Sequence, residues 1–238
     1  MDYISILIII ILIALLPWIC FYCYYSKLRR SQLKLFLLGG IGWLAALILR
    51  VPILTATYPI LDITIQITIA ATLAGVFEES FRFLFAKSFL KGEIKNEDVL
   101  SFGIGWGVVE ILILHTLTMV ILLIAVIYNI PEIPVPPLEK LISEGFAGAF
   151  ERIIAVALHV ALTILIVKSL KNKILFLFAI IYHALVDFIA GFGYYVFDIP
   201  IWSLEFLFVI LTLILYGIIH VYLKKDVRDF FLKPEEPF

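Results

Sequence analysis

YISILIIIILIALLPWICFYCYY, residues 3–25, runs for 23 residues without one charged side chain. At 1.5 Å per residue that is about 35 Å of helix, enough to cross a hydrocarbon core of roughly 30 Å. Asp2 precedes the run, and Lys27, Arg29, Arg30 and Lys34 follow it. A secretory signal carries its positive charge ahead of the apolar stretch. This run is therefore expected to stay in the membrane as a helix with its N-terminus outside. Six further runs follow, at 33–54, 62–86, 99–128, 149–168, 174–195 and 201–223, each reaching about the 20 residues a span needs. The third to fifth hold ionisable residues, so a span does not end at its first charge.

Composition agrees with lipid as the solvent. Of 238 residues, 63% are hydrophobic and 16% charged, against about 45–50% and 25% in a soluble domain. A soluble core of this size cannot hide so much apolar surface. The expectation is an all-α, polytopic transmembrane helical bundle of about seven spans, forming one domain over residues 1–238. A net charge of −1 gives no basic face for nucleic acid.

Connector charge fixes the expected orientation. Lys27, Arg29, Arg30 and Lys34; Lys87, Lys91 and Lys95; Lys168, Lys171 and Lys173; and Lys224, Lys225, Arg228 and Lys233 make 14 of the 18 basic residues. All fall on alternate connectors, while the others hold little besides Arg50 and Lys140. By the positive-inside rule the N-terminus is out and the C-terminus in. The long connector 129–148 carries Pro131, Pro134, Pro136 and Pro137, then an amphipathic LEKLISEGF stretch. It reads as a stiff turn leading to a short interfacial helix. Cys20 and Cys23 lack the further ligands a zinc site needs and read as packing or lipid-modified thiols.

Ionisable groups in hydrocarbon cost several kcal/mol each, so they normally face a protein interior and act there. Within the spans lie Glu78, Glu79, Arg82, Glu110, His115, His159, His183 and Asp187. Counting from the basic helix ends at 1.5 Å per residue puts Glu78 and Glu79 roughly 12–14 Å deep, Glu110 roughly 16 Å, His159 roughly 13 Å and His183 roughly 15 Å. Four helices thus bring an acid or an imidazole to one level. Arg82 is within one turn of Glu78 and Glu79, and His183 and Asp187 form an i, i+4 pair that lets a carboxylate orient an imidazole. Gly103, Gly105 and Gly107 strip bulk from the fourth span just before Glu110, inviting close approach by another helix or a substrate. His115 reads as an interhelical hydrogen-bonding residue, His220 as interfacial, and Glu151 with Arg152 as a cap or anchor at the outer mouth of the fifth span.

FEESFR (77–82), FGIGWGVVE (102–110), ERIIAVALH (151–159) and YHALVDF (182–188) together resemble the YhfC-type membrane peptidases. More distantly they resemble the CAAX prenyl endopeptidases and PrsW-like proteases. The likeness runs in order from about residue 60 to 190. It implies a helical membrane protease with its site inside the bilayer: two N-terminal spans (1–58), a catalytic core (59–195), then a last span and cytoplasmic tail (196–238). Glu78 and Glu79 match the paired acids, the first polarising the attacking water, and Arg82 the arginine that holds a carboxylate. His183 and Asp187 match the late His-x-x-x-Asn/Asp motif, and Glu110 and His159 match positions of the YhfC-type branch. One departure stands out. Relatives carry histidine where this chain has Trp106, which neither accepts a proton nor binds a metal. Either His159 takes that role here or the chain is a non-catalytic relative.

The expected activity is hydrolysis of a peptide bond in a membrane-embedded or lipidated substrate, in the plasma membrane of a prokaryote. The catalytic candidates are Glu78, Glu79, Arg82, Glu110, His159, His183 and Asp187. No cofactor is demanded, but a divalent metal such as zinc is open, with Glu110, His159 and His183 as three protein ligands and one position left for water. The alternatives are a non-catalytic membrane scaffold and a proton-coupled transporter whose polar line forms a relay.

Overall fold

The computed structural model describes residues 2–27, 29–90, 92–222, 227–233 and 236–238. Its helices are α1 (Tyr3–Ser26), α2 (Arg30–Thr57), α3 (Ile63–Phe89), α4 (Asn96–Glu110), a π-helical turn (Ile111–Thr116), α5 (Leu117–Tyr128), α6 (Leu138–Ser169), α7 (Lys173–Tyr195), α8 (Ile201–Tyr222) and the short α9 (Val227–Leu232). Among the described residues, six stretches are long and apolar enough to cross a membrane: α1, most of α2, α4 through α5, α6, α7 and α8. α3, at 27 residues, matches them in length and carries the paired acids. The bundle is all-α and polytopic.

Polar ends start and stop these helices. Asp2 caps α1 by accepting from the Ser5 amide at 2.7 Å. Asp62 caps α3 through the Thr64 and Ile65 amides, satisfying donors that have no partner in the first turn. The described residues of the basic connectors gather at one end of the bundle. There Arg29 pairs with Glu97, the Phe238 amide donates to the Ile94 carbonyl at 2.7 Å, and Lys168 lies 4.1 Å over the Phe238 ring. Lys91, Lys224 and Lys225, counted above with the basic connectors, lie outside the described residues, as do Leu223 and the side chains of Arg30 and Arg228.

α6 is the central staff, 67% buried over its most apolar stretch, and it packs against α1, α3, α4, α7 and α8. α4 is sandwiched between α2 and α6. Added bulk at Gly39 would meet the Phe102 carbonyl, and at Gly105 the Phe36 carbonyl, so backbone lies directly against backbone. Gly103 and Gly107 do the same toward Val160, Thr163 and Val156 of α6. The small residues of the fourth span therefore serve helix packing on two faces, the contact that substitutes for hydrophobic drive between helices in lipid.

Four expectations need correction. The LEKLISEGF stretch is no separate interfacial helix: α6 starts at Leu138 and runs 32 residues without a break, about 48 Å. Glu151 and Arg152 are consequently mid-helix residues and not a cap. Arg50 is no connector residue, because α2 continues through Pro52 to Thr57. A proline costs a helix one hydrogen bond and a kink, and in a packed bundle neighbours absorb both. His115 sits in the π-helical turn, buried, with its ring against Gly148 and its Nε2 without a hydrogen-bond partner among the described residues. It faces a glycine, which offers no side chain to bond.

Candidate functional site

The cluster is assembled by close helix contacts. At Gly75 a side chain would strike the Ile180 carbonyl and Ala184, so α3 and α7 touch backbone to backbone. That contact brings His183 Nδ1 to 2.7 Å from Glu79 Oε1. The α4–α6 contact brings His159 Nε2 to 2.6 Å from Glu110 Oε2. Between these two acid–imidazole pairs lies Arg82, fully buried. Its guanidinium pairs with Glu79 Oε1 at 3.3 Å and donates to His159 Nδ1 at 2.8 Å and to the His159 carbonyl at 3.3 Å. It also lies 4.5 Å over the Trp106 ring. A guanidinium only donates, so His159 Nδ1 is the acceptor and the ring's proton is on Nε2, facing Glu110, where a cation held by this ring would have to take the proton's place. The two imidazole centroids are 5.7 Å apart.

All seven expected residues meet around this point. Glu78, Glu79, Arg82, His159 and His183 are buried, and Glu110 is 13% exposed at its side chain. Asp187 stands at the edge, half open, with Oδ2 3.8 Å from His183 Nε2: within ion-pair reach, beyond a hydrogen bond.

Three residues were not expected here. Arg50 of α2 pairs with Glu78 Oε1 at 2.6 Å, and Arg152 of α6 with Glu110 Oε1 at 2.7 Å and with Glu151. Trp106 donates its indole N–H to Glu78 Oε2 at 3.3 Å. Each intramembrane glutamate of the cluster is thus matched to an arginine: Glu78 to Arg50, Glu79 to Arg82, Glu110 to Arg152. Breaking one member of such a buried pair costs about 3–5 kcal/mol, because the other charge is left without compensation. A signal for the missing cations existed in the sequence, since buried acids demand counter-charges. By connector charge alone, Arg50 reads as a connector residue and not as one of these cations.

Glu78, Glu110 and His159 each offer one ligand atom, and these atoms lie within 4.8 Å of one another. Two carboxylates and an imidazole are the donor types and number of a three-ligand catalytic zinc site. The set differs from the expected one in a single member. Glu78 stands in the converging set in place of His183, whose Nδ1 bonds Glu79 Oε1. Three buried atoms of the cluster have no hydrogen-bond partner among the described residues: the acceptor Glu79 Oε2 and the donors Arg82 Nε and Arg50 Nε.

Residues 10–199 match the family described as YhfC intramembrane metalloprotease. Neither a curated protein nor a solved structure matches the chain.

Proposed function

The chain belongs to the YhfC intramembrane metalloprotease family, and on that premise we propose that it hydrolyses a peptide bond in a membrane-embedded or lipid-modified substrate. One observation carries the reading. A converging Glu78–Glu110–His159 donor set lies beside a second acid–imidazole pair that retains an unpaired acceptor and an unpaired donor. The first set would hold a divalent cation, which when bound supplies Lewis-acid polarisation and a more acidic water.

The proton work falls to the chain's own groups. As water adds to the scissile carbonyl carbon, one of its protons passes to Glu79 Oε2, and a C–O bond forms. Negative charge grows on the carbonyl oxygen, where the Arg82 Nε–H donates to it, an effect strengthened where water is scarce. On collapse the C–N bond breaks and Glu79 hands its proton to the leaving nitrogen, yielding a carboxylic acid and an amine. His183 fixes Glu79 through Oε1, and Asp187 holds His183 from the open side. This assigns the proton transfer to the second of the paired acids, whereas the resemblance implied the first: both oxygens of Glu78 are engaged, by Arg50 and Trp106.

A second reading has its own support. Three glutamates each matched to an arginine, with Trp106 where relatives have histidine, also describe a rigid polar keystone in a non-catalytic scaffold. Purified protein in liposomes with a transmembrane test substrate separates the two. Cleavage by wild type, lost in Glu79→Gln, supports the protease. Intact substrate under all divalent-metal conditions supports the scaffold, and solute uptake without cleavage supports a transporter.

A further inference from the structure

From a cavity outside the reaction centre we infer that the protein has a subsite for a cationic group of its substrate, a lysine or arginine side chain or a free α-amine, with Glu205 as counter-charge. The inference names the substrate class for the proposed protease and rests on that reading. The cavity, about 400 Å³, lies between α6, α7 and α8, and its wall includes Glu151, Arg152, Asp187, Tyr194, Glu205 and Phe208. That volume is within the range of small-ligand pockets, roughly 300–1,000 Å³.

Glu205 is the anomaly. It is the one acidic or basic residue among the 22 of α8, IWSLEFLFVILTLILYGIIHVY, apart from His220 at the far end. It is only 6% exposed, and its Oε2 has no hydrogen-bond partner among the described residues. Among the described residues the single cation on the cavity wall is Arg152, already shared between Glu110 and Glu151. Asp187 and Glu205 therefore face the cavity without a full counter-charge. Carboxylates at this depth are normally paired, and here a cation delivered by a ligand completes the pair. The aromatic rings of Tyr194 and Phe208 suit the apolar stem of a lysine or arginine, whose charged head then reaches the acids.

The cavity is continuous with the chemistry through two shared residues. Asp187 reaches His183, and Arg152 holds Glu110. A peptide anchored here by a basic side chain presents a nearby bond to the cluster, so Glu205 acts on which bond is cut and takes no part in cutting it.

Two measurements test this. The first compares transmembrane peptides differing only by one Lys or Gln, scanned through successive positions, as substrates of wild type and Glu205→Gln. At one register wild type should favour Lys over Gln by at least about tenfold, and Glu205→Gln should bring the ratio near one. The second needs no turnover: binding of n-octylammonium and of n-octanol to the purified protein, followed by tryptophan fluorescence. Wild type should prefer the ammonium by at least about tenfold, and Glu205→Gln should erase the preference. Equal ammonium preference in both proteins overturns the subsite. No cleavage of any peptide, with the ammonium preference intact, overturns the protease and leaves the cation site standing.

Discussion

Two acid–imidazole pairs face each other across Arg82, and they are built differently. Glu79–His183, between α3 and α7, is sealed: the Glu79 side chain has no exposure, and one of its oxygens lacks a donor. Glu110–His159, between α4 and α6, is more open, with Glu110 13% exposed, both of its oxygens engaged, and the π-helical turn beginning at the next residue. A widened turn of this kind often sits at functional sites. The same residue types thus serve two ends. On the proposed reading, the saturated, more open pair joins Glu78 as the donor set for a cation, and the sealed pair keeps a free lone pair for a proton.

The sharpest way to break this comparison is to neutralise one acid on each side. Glu110→Gln should abolish both cleavage and bound divalent metal, read by elemental analysis of the purified protein. Glu79→Gln should lower kcat by about 10²–10⁴, the range of general acid–base contributions, while metal content stays at the wild-type level. Loss of metal in both variants would merge the two pairs into one site. Below these in size comes the packing that brings the pairs together. Gly105→Ala drives a methyl into the Phe36 carbonyl and should destabilise the bundle by about 1–3 kcal/mol, measured by unfolding in mixed micelles.

Smaller still is Trp106→Phe, which keeps a ring under Arg82 but removes the hydrogen bond to Glu78. It should cost about 0.5–1.5 kcal/mol of stability and leave cleavage within several-fold of wild type. Inactivation as deep as that of Glu79→Gln would make the indole part of the chemistry. The least effect is expected at the far end of α1, outside the membrane. The Ser5 amide holds the Asp2 carboxyl below its ordinary range. The folded form is the one with the lowered value, so the cap's contribution is present above the ordinary aspartate value of about 3.9 and fades as pH falls below it. Amide exchange at Ser5 should speed up across that fall, and Asp2→Asn should flatten the dependence.

The apolar runs place the long helices to within about three residues at every end except the start of α6, because lipid demands about 20 apolar residues and a satisfied backbone whatever the tertiary contacts. Glu78, Glu79, Glu110, His159 and His183 stood out for the same reason: a charge in hydrocarbon is too costly to be incidental. Misjudgements came where a local rule met a neighbouring helix. By local rules Arg50 reads as a connector charge beside Pro52, Arg152 as an anchor near the start of an apolar run that begins at residue 149, and His115 as a bonding residue, whereas its ring meets Gly148. Glu205 went unremarked, a lone acid near the start of the last span.

The sequence alone determined that the chain lives in a membrane, which stretches cross it, and which side chains are too polar to face lipid. Partition between water and hydrocarbon acts on each segment by itself. Only the tertiary structure decided which arginine neutralises which glutamate, that Glu78 and not His183 joins Glu110 and His159, and that a cavity opens beside Glu205. Those outcomes depend on the rotation and approach of whole helices, set by glycine contacts such as Gly39 with Phe102 and Gly75 with Ile180, and a residue's distance from its neighbours in sequence carries no record of them.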